Sequence, residues 1–163
     1  MPLRRLWIVL GFLLLPAVAS ADGHRAGLFG GGSYLRGSSL WGVHASGDWA
    51  PFTYRKFIFI GDLSVHSGTH DGADVTIKTF MGGGGWAFPK GDHVVTLHGL
   101  GGGVRGGGSR KVGAVGGSYA FVAHRLAAGW QKGIGVQVDR ILIKEADDFW
   151  RVSAGVVIRY KPN

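Results

Sequence analysis

Cysteine is absent from this 163-residue chain, and proline (5), methionine (2) and acidic residues (10) are few. The missing Cys excludes a disulfide scaffold, a thiolate metal site and a Cys nucleophile. Beyond the N-terminal segment no run of 18 apolar residues occurs, so no helix is expected to span a membrane. Helices are disfavoured throughout, because stretches such as Leu126-Ala127-Ala128 are short and Gly is frequent. Glycine is what the chain has in excess. There are 31, without a Gly-X-Y period, so collagen is excluded. Nine Phe, six Trp and four Tyr argue against disorder. The length suits one domain. A formal charge of +8 raises nucleic acid or an anionic surface as partners.

Residues 1–21 have the form of a secretory signal peptide. Arg4 and Arg5 form a charged start, Leu6 to Leu15 an apolar run, and Ala19-Ser20-Ala21 a small-residue cleavage site. The apolar run is shorter than the ~20 residues a spanning helix needs. The mature chain is then residues 22–163, a single domain with 16 Lys+Arg against 10 Asp+Glu, a net charge of +6. Export removes genomic DNA, and so nucleic acid, from the partners. Exported chains without Cys suit the bacterial envelope, where folding need not depend on disulfides.

The mature chain alternates with a period of two, the signature of strands with two different faces. Trp150, Val152, Ala154, Val156, Ile158 and Tyr160 share one parity, and Arg151, Ser153, Gly155, Val157 and Arg159 the other. Trp41, Val43, Ala45 and Trp49 alternate with His44, Ser46 and Asp48. Phe57, Phe59, Leu63 and Val65 oppose Asp62, Ser64 and His66, and Val136 and Val138 oppose Gln137 and Asp139. Turn signals at Ala50-Pro51, His70-Asp71-Gly72 and Pro89-Lys90-Gly91-Asp92 separate the runs. The reading gives eight strands, near 26–37, 40–50, 56–67, 74–88, 93–104, 112–124, 129–143 and 149–160, paired as antiparallel hairpins.

Alternation alone leaves open which face points inward. A soluble β-protein buries the apolar face, whereas a transmembrane barrel turns it to lipid. Three features favour lipid. The polar parity carries full charges. The apolar parity is almost free of charge, with Arg140 the exception, placed near an interface where its head can snorkel. Aromatics bracket the apolar runs: Trp41 and Trp49, Trp150 and Tyr160 are read as interface aromatics. The ten steps from Trp150 to Tyr160 at ~3.3 Å, tilted ~40°, span about 25 Å, the height of the apolar band. The fold class is thus an all-β, transmembrane, eight-stranded antiparallel up-and-down β-barrel. Side chains fill the interior of so narrow a barrel, so no open aqueous channel is expected.

The segment Ser153-Ala154-Gly155-Val156-Val157-Ile158-Arg159-Tyr160 resembles the β-signal read by the outer-membrane insertion machinery: polar, any, Gly, any, any, apolar, any, aromatic or apolar. Its defined positions are Ser153, Gly155, Ile158 and Tyr160. Gly30-Gly31-Gly32-Ser33-Tyr34-Leu35-Arg36 resembles the first strand of many such proteins. On these motifs the mature chain is similar to the small outer-membrane β-barrel family of the OmpA transmembrane domain and OmpX. One departure is the tail Lys161-Pro162-Asn163, because the family usually ends on the aromatic residue itself. The resemblance implies a bacterial outer-membrane location and contact with the insertion machinery. It implies a structural, adhesive or protective role more than a definite activity.

The remaining motifs carry little chemistry. Gly101-Gly102-Gly103-Val104-Arg105-Gly106 matches G-x-G-x-x-G, but a strand follows where a phosphate-binding helix is required. Arg105, Arg110 and Lys111 make a basic outer loop suited to anionic lipopolysaccharide. His44, His66 and His98 fall on inward parities, without metal-ligand spacing, and read as ordinary lumen histidines. Ser67 beside His66 points to the opposite face, and the His-x-Ser-Asn pattern of barrel lipid A deacylases is absent. No catalytic residue, metal or cofactor is therefore expected. Asp48, Asp62 and Asp139, with Lys78, Arg151 and Arg159, are read as a lumen charge network. The expectation is a monomer in contact with outer-membrane lipid and lipopolysaccharide. The alternatives are a lipid-modifying barrel enzyme of the acyl-hydrolase type and a soluble periplasmic barrel binding a small apolar ligand.

Overall fold

The computed structural model describes residues 25–36, 39–50, 56–106, 108–126, 129–144 and 148–160. The signal segment and the Lys161-Pro162-Asn163 tail lie outside them. Eight strands follow in order: β1 Arg25–Arg36, β2 Leu40–Ala50, β3 Phe57–His70, β4 Ala73–Lys90, β5 His93–Arg105, β6 Ser109–Arg125, β7 Trp130–Ile143 and β8 Phe149–Tyr160. Each pairs antiparallel with its sequence neighbour, and β1 pairs with β8, closing the barrel. The expected strands all form. β3, β4 and β6 run further than the alternation suggested, to His70, from Ala73 and from Ser109.

The turns follow their residues. Asp71 and Gly72 both have positive φ (51° and 79°), the requirement of a two-residue type I′ hairpin between β3 and β4. Gly91, with φ 61°, occupies the first central position between β4 and β5. A bulge between Phe121 and His124 shifts the β6–β7 register, a feature the alternation does not signal. The seam between β1 and β8 sets Gly31 opposite Gly155. A Cβ on either would collide with the backbone of the other strand.

The inward side chains form three zones. At the near rim, where β1 begins and β8 ends, Ile58, Val94, Val122 and Val157 are buried. At the far rim Leu35, Leu40, Val104, Val112 and Ile141 close the interior, with Val75, Ile77 and Ile143 packed against them. Between these apolar zones lies a polar layer. Outside, the pattern is reversed from that of a soluble domain, with Trp41 69% and Ile134 68% exposed.

Candidate functional site

The polar layer is organised by Arg151, which is fully buried with 0% exposure. Its position on β8 faces Asp139 on β7 in register, and Asp62 reaches it from β3 across the interior. Arg151 donates from Nη1 and Nη2 to the two oxygens of Asp62 at 2.8 and 2.6 Å. It also donates from Nε and Nη2 to Asp139 Oδ2 at 2.9 and 2.6 Å. Each carboxylate receives a second partner. His44 Nε2 is 2.8 Å from Asp62, and His98 Nε2 is 2.7 Å from Asp139. Gln137 donates to Asp139 at 3.0 Å. Nearer the near rim, the half-buried Arg159 donates to both oxygens of Asp48 at 2.9 and 3.2 Å.

Hydroxyls extend the layer. Ser153 Oγ lies 3.0 Å from His44 Nδ1 and donates to Ser33 Oγ at 3.0 Å, and Ser33 is 2.7 Å from His66 Nε2. Ser64 and Thr79 bond each other at 2.7 Å. Asp62, His44 and Ser153 therefore stand in the bonding order of an acid–base–nucleophile triad. Their setting is structural. Ser153 is 1% exposed, Asp62 is held by Arg151, and the hydroxyl proton is committed to Ser33. The three histidines bond different partners, and no group of potential metal ligands occurs among the described residues.

Lys78 is the correction. It was expected in the lumen network, but it is exposed on the outer face, with Thr79 and Met81 pointing inward beside it. The reason lies in β4 itself. Gly82 to Gly85 carry no side chains to transmit the alternation from Trp86. Beyond Phe80 the polarity also inverts, with Thr76 and Asp74 exposed while Ile77 and Val75 pack on the core. Charge complementarity with the lumen acids was therefore a poor guide, and strand parity the better one. Arg105, Arg110 and Lys111, expected in an outer loop, likewise lie in strands β5 and β6. Ser67 is exposed and bonds Thr76 at 3.0 Å, away from His66.

The outer face carries aromatic residues at both rims. At the near rim Trp49 stacks on Phe59 at 5.7 Å, and Phe57 meets Phe59 and Trp86 edge-on. His93 packs on Tyr119 and Phe121, and Trp130 on Tyr160 at 5.3 Å. The far rim is lopsided. Tyr34 and Trp41 pack at 4.6 Å on β1 and β2, and Trp150 is exposed on β8. On β4 to β7 the corresponding positions are Lys78, Arg105, Lys111 and Arg140. Arg140 pairs with Asp148 at 2.9 Å. Of the β-signal-like positions, Ser153 faces the lumen, Gly155 the seam, and Ile158 and Tyr160 the outside.

No protein-family model and no curated protein matches the chain. Solved structures do. The Neisserial surface protein A, NspA, aligns with a TM-score of 0.59 at 11% identity, over 86% of this chain and 97% of that one. The Yersinia pestis outer membrane protein Ail, determined in a phospholipid bilayer nanodisc, aligns with a TM-score of 0.50 at 14% identity, over 85% and 100%. With its closed β1–β8 sheet, the chain has the fold of the small eight-stranded outer-membrane β-barrels.

Proposed function

We propose that the protein is an integral outer-membrane β-barrel with a structural or surface-interaction role, no open pore and no enzymatic activity. The observation that carries this reading is the inside-out polarity of the wall. Large apolar side chains cover the outside between aromatic rims, while an ion cluster is sealed inside. A continuous exposed apolar belt is untenable in water and matched to lipid. The fully buried layer around Arg151, between two apolar zones, supports a filled interior. The burial of Ser153 supports a non-enzymatic role. The expected orientation puts the near rim on the periplasmic side and the far rim outside, in contact with lipopolysaccharide.

Heat-modifiable gel mobility tests the reading. Protein recovered with the outer membrane should migrate faster unboiled than boiled, and in planar bilayers it should give no steady conductance. A soluble periplasmic protein without the shift would overturn the reading and favour an interior ligand.

A further inference from the structure

We infer that the far rim of β4–β6 and the adjoining outer groove form a binding site for a phosphorylated, acylated glycolipid of the outer leaflet. The inference rests on the outer-membrane reading above. Lys78 on β4 is directly opposite Arg105 on β5. Lys111 on β6 pairs with Gly103, one outward position down β5 from Arg105. Like charges directly opposite each other on a sheet are destabilising by themselves. Among the described residues none of the three has an acidic partner. The nearest described acid on this face of β4, Asp74, is four residues further toward the turn and accepts from Thr69. Three uncompensated cations at a membrane boundary fit a phosphate, which offers several acceptor oxygens at once.

The second observation is a cavity. An open groove of about 630 Å³ runs across the outer wall of β1–β4, lined by Gly30, Val43, Ala45, Leu63, Val65 and Lys78. The register explains its course. Gly32, Val43, Val65, Lys78 and Arg105 form one outward row across five strands. Gly30, Ala45, Leu63, Phe80 and Gly103 form the row below. Small residues on β1 and β2, Gly30 and Ala45, leave the wall low, and Leu63 and Val65 bank it. The groove is apolar along its length and meets a cation only at Lys78, where the charged cluster begins. A single ligand satisfies both parts: an acyl chain along the groove and a phosphate across Lys78, Arg105 and Lys111.

Native mass spectrometry of the folded full chain in detergent tests this. The probes are bisphosphorylated lipid A, its dephosphorylated form and inorganic phosphate. The intact barrel should retain bisphosphorylated lipid A over the dephosphorylated form. Each cation removed should weaken retention about fivefold, so K78Q/R105Q/K111Q should lose on the order of a hundredfold. Gly30→Leu fills the groove where a Cβ meets no atom, and it should weaken lipid A retention with the cations intact. Equal retention of both lipid A forms, or unchanged binding by the triple variant, overturns the site. Inorganic phosphate competing as well as the lipid, with Gly30→Leu indifferent, overturns the acyl groove. Gel mobility in lipid vesicles separates the two claims. A chain that fails to fold there overturns the membrane reading and this site together, whereas a folded, phosphate-indifferent barrel overturns this site alone.

Discussion

Replacing Arg151 with Leu should destabilise the barrel more than any other single lumen change. The substitution keeps apolar bulk but removes four charge-assisted hydrogen bonds, two to Asp62 and two to Asp139. Both carboxylates are fully buried and retain only neighbours such as His44 and His98. Breaking a buried ion cluster on one side costs about 3–5 kcal/mol, because the remaining charges are left uncompensated. Against a typical stability of about 5–15 kcal/mol, that is about a fifth or more. The assay is equilibrium urea unfolding in lipid vesicles, followed by tryptophan fluorescence. The triple variant R151L/D62N/D139N removes the stranded charges too, and it should recover at least half of the loss, since neutral replacements of whole clusters are often tolerated. A single variant within about 0.5 kcal/mol of the parent, the range of ordinary surface substitutions, would refute the reasoning. So would a triple variant as unstable as the single.

Other expectations follow from the same geometry. Arg159→Leu should cost less, about 1 kcal/mol, because Arg159 and Asp48 are 15% and 23% exposed and water screens the pair; the same titration reads it. Lys78→Gln should leave the unfolding free energy within about 0.5 kcal/mol of the parent, as for a surface site, and a loss of several kcal/mol would return the residue to the lumen. Gly31→Ala should be destabilising by about 1–3 kcal/mol through overpacking at the seam. Gly30→Ala, one residue away on the open face, should refold normally, and the unboiled gel band compares the two.

The fold was legible because each strand has two chemistries. Trp150 to Tyr160 and Phe57 to His66 keep their charged, serine and histidine side chains on one parity, with Ile58, Ile60 and Val157 the apolar residues among them, and the structure keeps those faces. The pairing of Asp62 with Arg151 joins residues 89 positions apart, so inward parity could nominate both but could not bring them together. The links through Ser33, Ser153, His44 and His98 were less visible still, since hydroxyls and imidazoles suit either face. Lys78 eluded the reading where glycine silences the alternation and where the wall changes surroundings beyond Phe80. The bulge at Phe121–His124 left no mark, as one extra residue costs only a local shift of parity near a strand end.

The seam joins residues at least 114 positions apart in the chain, from Arg36–Trp150 to Ala26–Tyr160. Contacts of such long range form slowly, because most of the chain must already be ordered before they gain anything. Until then β1 and β8 are two bare edges, each able to pair with a neighbouring molecule. Gly31 and Gly155 make the two edges fit each other closely at one register, where bulkier residues would not. The glycine pair therefore acts as a latch for self-recognition, favouring a ring made from one chain over an open sheet shared among several.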